Sequence, residues 1–279
     1  MLKETFQSIA TAARTVLQNW KSTLLIAIVY ASLLAVLYFF VVIREATFLQ
    51  VTLTFASAIV APLLFFVLQA MIASDTGEGS AGAMVSRALS SFWKLILVTL
   101  PLIALAILIV YLLGKAQARF DANLSNAAAS LPRRVSALAN ARDTSPPINW
   151  RVASLSTLRY LAFGLVLPLA AIHLWLATAQ EGLGPAVRKL KTLLARAFAP
   201  QSILIYVAGF LIFAVIPYFL LFKTVSIKHA WLEIALMVAR LAIVFALTLF
   251  GWLMTVKAIA LWSASPLATT QPDPAVEAT

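Results

Sequence analysis

Six stretches of this chain run for 16 to 29 residues without an acidic or basic side chain, and their lengths govern what it can fold into. They span 22–43, 46–74, 95–114, 160–180, 197–222 and 241–256. A helix needs about 20 apolar residues to cross the ~30 Å hydrocarbon of a bilayer. Five runs meet that length outright. The sixth is short, but its apolar pattern continues from Ile234 to Trp262, and Arg240 and Lys257 are expected to reach headgroups along their long stems. Composition excludes a water-soluble alternative. Of 279 residues 62% are hydrophobic and 11% charged, where soluble domains average about 45–50% apolar and ~25% charged. In lipid the backbone must satisfy its own hydrogen bonds, and segments of this length do so as helices. The expected fold is all-α: a polytopic transmembrane bundle of about six spans.

An internal repeat organises those spans. Ahead of the first, Phe6, Ile9, Ala13, Val16, Leu17 and Trp20 form an apolar stripe at helical spacing, with Lys3, Gln7, Arg14, Gln18 and Lys21 opposite. Ahead of the third, Met84, Val85, Ala88, Leu89 and Phe92 face Arg87, Ser91 and Lys94. Ahead of the fifth, Val187, Leu190, Leu194 and Ala197 face Arg188, Lys189, Lys191 and Arg196. Arg14, Trp20 and Lys21 recur as Arg87, Trp93 and Lys94 at a constant offset of 73. Three units follow, each an interfacial amphipathic helix plus a transmembrane hairpin, at about 1–74, 75–180 and 181–262. Together they make one transmembrane domain over 1–262. An extramembrane loop, 115–154, is inserted in the second unit, with short helices broken at Pro132. The tail, 263–279, carries Pro266, Pro272 and Pro274 among small residues and is expected to be disordered. Residues 1–21 do not have the form of a cleaved signal peptide.

The net charge of +11 suits anionic lipid headgroups. No basic stripe on a separate domain suggests nucleic acid. The basic residues of the amphipathic segments, Arg14, Lys21, Arg87, Lys94, Arg188, Lys189, Lys191 and Arg196, are the candidate lipid or anion contacts. An even number of spans puts both termini on one side, and these helices favour an anionic cytoplasmic leaflet there, although 10 of the 21 basic residues fall on that side and 11 on the other.

Residues that carry chemistry are sparse. Cysteine is absent, which excludes thiolate catalysis and cysteine-ligated metals. All ten acidic residues, Asp75 among them, fall outside the charge-free runs, whereas ion-coupled transporters place carboxylates at mid-membrane. His173 is the one histidine inside a span, five residues after Pro168; Gln69 follows Pro62 by seven in span two. These two, with Arg159 and Arg240 at the openings of spans four and six, are the candidate intramembrane polar residues. For His173 and Gln69 the plain reading is interhelical hydrogen bonding; for the arginines it is contact with headgroups, and the sharper one an anionic substrate. No paired serine and histidine or pair of aspartates stands out as an intramembrane protease would need. Nucleotide-binding, zinc-protease and hydrolase motifs are missing, and the glycine-rich 76–82 reads as a loop. No cofactor is expected. Pro62, Pro101, Pro168 and Pro217 lie inside spans two to five and are expected to shape the bundle or to mark a hinge.

The repeated Arg-(x)5-Trp-Lys entry into apolar hairpins, at 14–21 and 87–94, resembles a broad group of bacterial six-span inner-membrane proteins. It looks like the membrane domain attached to some glycerophosphodiester phosphodiesterases. The resemblance covers most of 1–262 and implies a bacterial inner-membrane location. It transfers no catalytic residue, because the family's phosphodiesterase chemistry sits in a separate soluble barrel. The expected function is non-enzymatic, through contact with lipid or with a membrane-protein partner; the alternative is a transporter or channel for a small or amphipathic molecule.

Overall fold

A computed structural model describes residues 2–43, 47–75, 81–129, 150–223 and 229–264, and each regular element among them is helical. Residues 76–80, 130–149 and the tail from 265 lie outside the described residues, as do the expectations for the glycine-rich stretch, Pro132 and the tail. In order, the elements are α1 (Leu2–Gln18), α2 (Trp20–Val42), α3 (Phe48–Ser74) and α4 (Ala81–Ala129). Then come α5 (Trp150–Leu161), a π segment (Ala162–Val166), α6 (Leu167–Glu181), α7 (Leu183–Arg188) and α8 (Leu190–Ala197). Last are α9 (Pro200–Phe210), a second π segment (Leu211–Val215), α10 (Ile216–Phe222) and α11 (Ala230–Ala264). Among the described residues six helices are long and apolar enough to cross a membrane: Trp20–Val42, Phe48–Ser74, Gly82–Arg119, Ala153–Glu181, Pro200–Phe222 and Trp231–Ala264.

Local sequence explains where the helices start and stop. Thr47 opens α3 with a reciprocal capping box: its hydroxyl accepts from the Gln50 backbone while the Gln50 side chain accepts from its own. Pro200 stands in the first turn of α9, where its missing N–H costs nothing. Gly182 joins α6 to α7 at φ +90°, a conformation that L side chains rarely adopt. Pro168 and Pro217 each follow a five-residue π segment by two positions. A proline ring clashes with the carbonyl four residues back, and a widened turn is one way a helix absorbs that clash. Pro62 and Pro101 sit inside uninterrupted α-helix instead.

The amphipathic segments differ in how they join their spans. A turn at Asn19 separates α1 from α2, and Phe198 and Ala199 separate α8 from α9. In the second unit no break intervenes: α4 runs 49 residues, carrying Arg87 and Lys94, span three and residues 115–129 as one helix. Arg87 and Lys94 thus lie on the same rod as their span.

The chain divides into two compact units, 1–98 with 169–279, and 99–168. In the first, α11 is the hub: α1, α3, α9, α10 and the second π segment all pack on it, and α2 pairs with α3 as a hairpin. Close approach depends on missing side chains. A Cβ on Gly209 of α9 would collide with the Thr255 side chain of α11, and one on Gly251 would meet Phe213. Ten consecutive residues of α6, Leu169–Thr178, are buried, as are seven of α3, Leu68–Ser74. A helix buried on every face is surrounded, so the packed heart of this unit lies toward the end of the bundle that holds the N-terminus. The second unit comprises parts of spans three and four. Among its described residues only Thr99 and Ala162 are buried.

Candidate functional site

Asp75 ends α3, where its carboxylate meets the negative pole of the helix dipole and is disfavoured without a cation. The cation comes from α11. Lys257 Nζ lies 2.7 Å from Asp75 Oδ2, and both side chains are more than nine-tenths buried. From sequence, Lys257 is expected to reach headgroups and Asp75 to stand outside the spans. Asp75 does follow span two, which ends at Ser74. Lys257 turns to Asp75 from within α11, which continues seven residues, about 10 Å, beyond it.

A cavity of about 220 Å³ borders this pair. Thr15 of α1, Gln180 of α6, Asp75 and Lys257 supply its polar wall, and Ile72, Leu176, Val256 and Leu261 are among its apolar lining. Among the described residues no aromatic ring lines it. An ammonium carries three N–H donors; Asp75 is the one partner of Lys257 among the described residues.

A second polar layer lies deeper. Trp252 of α11 donates its indole N–H to Gln69 Oε1 at 3.2 Å, and Gln69 stands six residues, about 9 Å, before Asp75. His173 Nε2 lies 3.1 Å from Ser202 Oγ, and its imidazole meets the Trp262 ring edge-on at 6.4 Å. Gln69 and His173 therefore tie α3 and α6 to their neighbours through separate partners. The Ser202–His173 contact is not visible from the sequence, where no mid-membrane serine and histidine pair stands out; Ser202 is the third residue of its span. The two are 29 residues apart and on different spans, so only packing reveals them. Such a contact is the first element of acyl-transfer chemistry. Ser202 is wholly buried and does not line the cavity beside Asp75, however, so the hydroxyl has no approach for a substrate carbonyl in this conformation.

The remaining sequence candidates are dispersed. Arg240 donates to the Lys223 carbonyl at 2.7 Å, closing the end of α10 with a cation where a helix C-terminus favours one. Arg159 is exposed, in the second unit. Arg14, Lys21, Lys94, Arg188, Lys189 and Lys191 are exposed, and Arg87 and Arg196 half-buried. Lys21 lies over the Trp20 ring at 6.0 Å, Arg87 Nε donates to the Ala83 carbonyl at 3.3 Å, and Lys189 pairs with Glu181 at 2.8 Å. Among the described residues no three histidines or carboxylates cluster as metal ligands.

Helix α1 separates three chemistries on three faces. Thr5, Ala12 and Val16 are buried against the bundle. Phe6 and Leu17 leave the next stripe exposed and apolar, and Trp20, past the turn at Asn19, is exposed as well. Lys3, Gln7, Arg14 and Gln18 make the third exposed and basic, with Lys21 exposed at the start of α2. The sequence reading placed all its apolar residues on one stripe; packing divides them, Val16 going inward and Phe6, Leu17 and Trp20 outward.

No family model matches the chain, and neither a curated protein nor a solved structure matches it. The likeness to phosphodiesterase membrane domains therefore rests on the repeat pattern alone.

Proposed function

We propose that this membrane-embedded helical protein acts without catalysis, in a bacterial inner membrane, by holding anionic lipid against its terminal-side surface. The observation that carries this reading is the three-faced α1: one face docked, one exposed and apolar, one exposed and basic. A helix so divided suits the plane between headgroups and acyl chains. Basic side chains there attract an anionic leaflet, which favours cytoplasmic termini. Arg188, Lys191 and Arg196 on α7 and α8 extend the same chemistry, and a membrane-protein partner using the same basic surface is the other form of the proposal.

Lipid retention tests it. The full chain in mild detergent is expected to keep phosphatidylglycerol in preference to phosphatidylcholine by native mass spectrometry. Replacing Lys3, Arg14 and Lys21 together by glutamine should weaken that preference severalfold. A wild-type protein indifferent to lipid charge would remove the reading's support. Transport of a small amphipathic molecule is the second reading, favoured by the cavity beside Lys257. Flux in liposomes that disappears with Lys257→Met, in a variant still folded, would place transport first.

A further inference from the structure

We propose that the cavity beside Lys257 binds an uncharged lipid ending in a hydroxyl group, of the class of long-chain alcohols and glycerides. The argument starts from charge. Lys257 Nζ lies 2.7 Å from Asp75 Oδ2 with both side chains more than nine-tenths buried, so each ion already neutralises the other. A charged guest has to draw one ion from its partner, and a buried charge left alone is strongly disfavoured. An uncharged guest leaves the pair closed. The rest of the wall agrees: seven of its eleven described residues are aliphatic, Ile72, Leu176, Val256 and Leu261 being the largest.

The neutral polar groups of the wall set the polar end of the guest. The Thr15 hydroxyl donates to the Thr11 carbonyl at 2.9 Å, so toward a guest its oxygen accepts. Gln180 is exposed and spends no side-chain hydrogen bond on the described residues; its carboxamide offers two N–H donors and an acceptor oxygen. A hydroxyl gives and accepts within one group and answers both residues. An ester carbonyl only accepts, which leaves the Thr15 oxygen unanswered. A plain hydrocarbon answers neither and keeps water from both.

Size and position admit the polar end and the first carbons of such a lipid. A cavity of about 150 Å³ holds benzene, so one of about 220 Å³ holds roughly eight or nine carbon and oxygen atoms. Leu261 and Ala264 are exposed on its rim, and a longer chain continues over them into lipid. This site is separate from the basic face of α1, and the inference does not rest on the reading of that face.

The test uses the full chain in mild detergent, titrated by native mass spectrometry with four probes of one chain length: oleyl alcohol, methyl oleate, oleate and oleylamine. Oleyl alcohol is expected to fill one site at least tenfold more tightly than the other three. Ala260→Leu, which puts a larger side chain into the cavity wall, should abolish that site. Gln180→Leu, at an exposed position where folding is not at stake, should cut the preference for oleyl alcohol over methyl oleate severalfold with an unchanged melting temperature. Oleate, oleylamine or methyl oleate bound as tightly as oleyl alcohol overturns the inference, and so does a preference untouched in Gln180→Leu.

Discussion

The two compact units are both rich in apolar residues and differ in what their side chains meet. In residues 99–168 the described helices expose Ile103, Leu105, Ile107, Leu108, Val110 and Leu112. The packed parts of the other unit contain Ala70, Ala73 and Ser74, Ala170, Ala171 and Ala177, Ser202, Gly209, Thr255 and Ala258. Large aliphatic residues cover the open surface, while the core mixes large ones such as Leu95, Leu169, Ile172, Ile205 and Leu253 with these small or weakly polar ones. Lipid is as apolar as leucine, so burying leucine gains little; close backbone approach and interhelical hydrogen bonds bring helices together instead.

The largest expected effect falls on the buried pair. Lys257→Met alone removes the ammonium 2.7 Å from the buried Asp75 carboxylate, and should destabilise the protein by about 3–5 kcal/mol in detergent unfolding. Adding Asp75→Asn should restore most of the loss. If the single variant is as stable as wild type, the ion pair is not part of a packed core.

Glycine substitutions set the two units directly against each other. Gly209→Ala drives a methyl into Thr255 and should cost roughly 1–3 kcal/mol. Gly114→Ala, in the second unit, meets open space within 4 Å and should gain up to about 1 kcal/mol from helix propensity. Equal costs at both positions would erase the distinction drawn here.

A smaller loss is expected at the buried hydroxyl. Ser202→Ala removes its contact with His173 and should cost about 0.6–2 kcal/mol. Because Ser202 is inaccessible, a fluorophosphonate probe should leave it unmodified in the folded protein. Labelling at that residue would turn attention to acyl-transfer chemistry.

The smallest effect belongs to the exposed aliphatic surface. Leu108→Ala should change stability by less than about 0.5 kcal/mol. A loss above about 2 kcal/mol in the membrane would show that another protein, rather than lipid, covers that surface.

Much of the architecture was legible beforehand because bilayer thickness acts on contiguous chain. Runs of 20 to 29 apolar residues announce spans. The joins were less legible. Nothing in the amphipathic pattern distinguishes α1, which breaks at Asn19, from the start of α4, which runs on into its span. The candidate site was hardest to foresee. Asp75 and Lys257 lie 182 positions apart, each at the edge of a charge-free run, and each alone resembles an interfacial charge.

Sequence by itself settled that this chain lives in hydrocarbon as six helices, because solvation is a property of each segment and needs no partner. Tertiary structure decided which apolar residues form a core, which hydroxyl meets His173, and that two apparent boundary charges neutralise each other inside the protein. Those outcomes depend on the rotation and depth of one helix against another, and periodicity within a single helix cannot encode them.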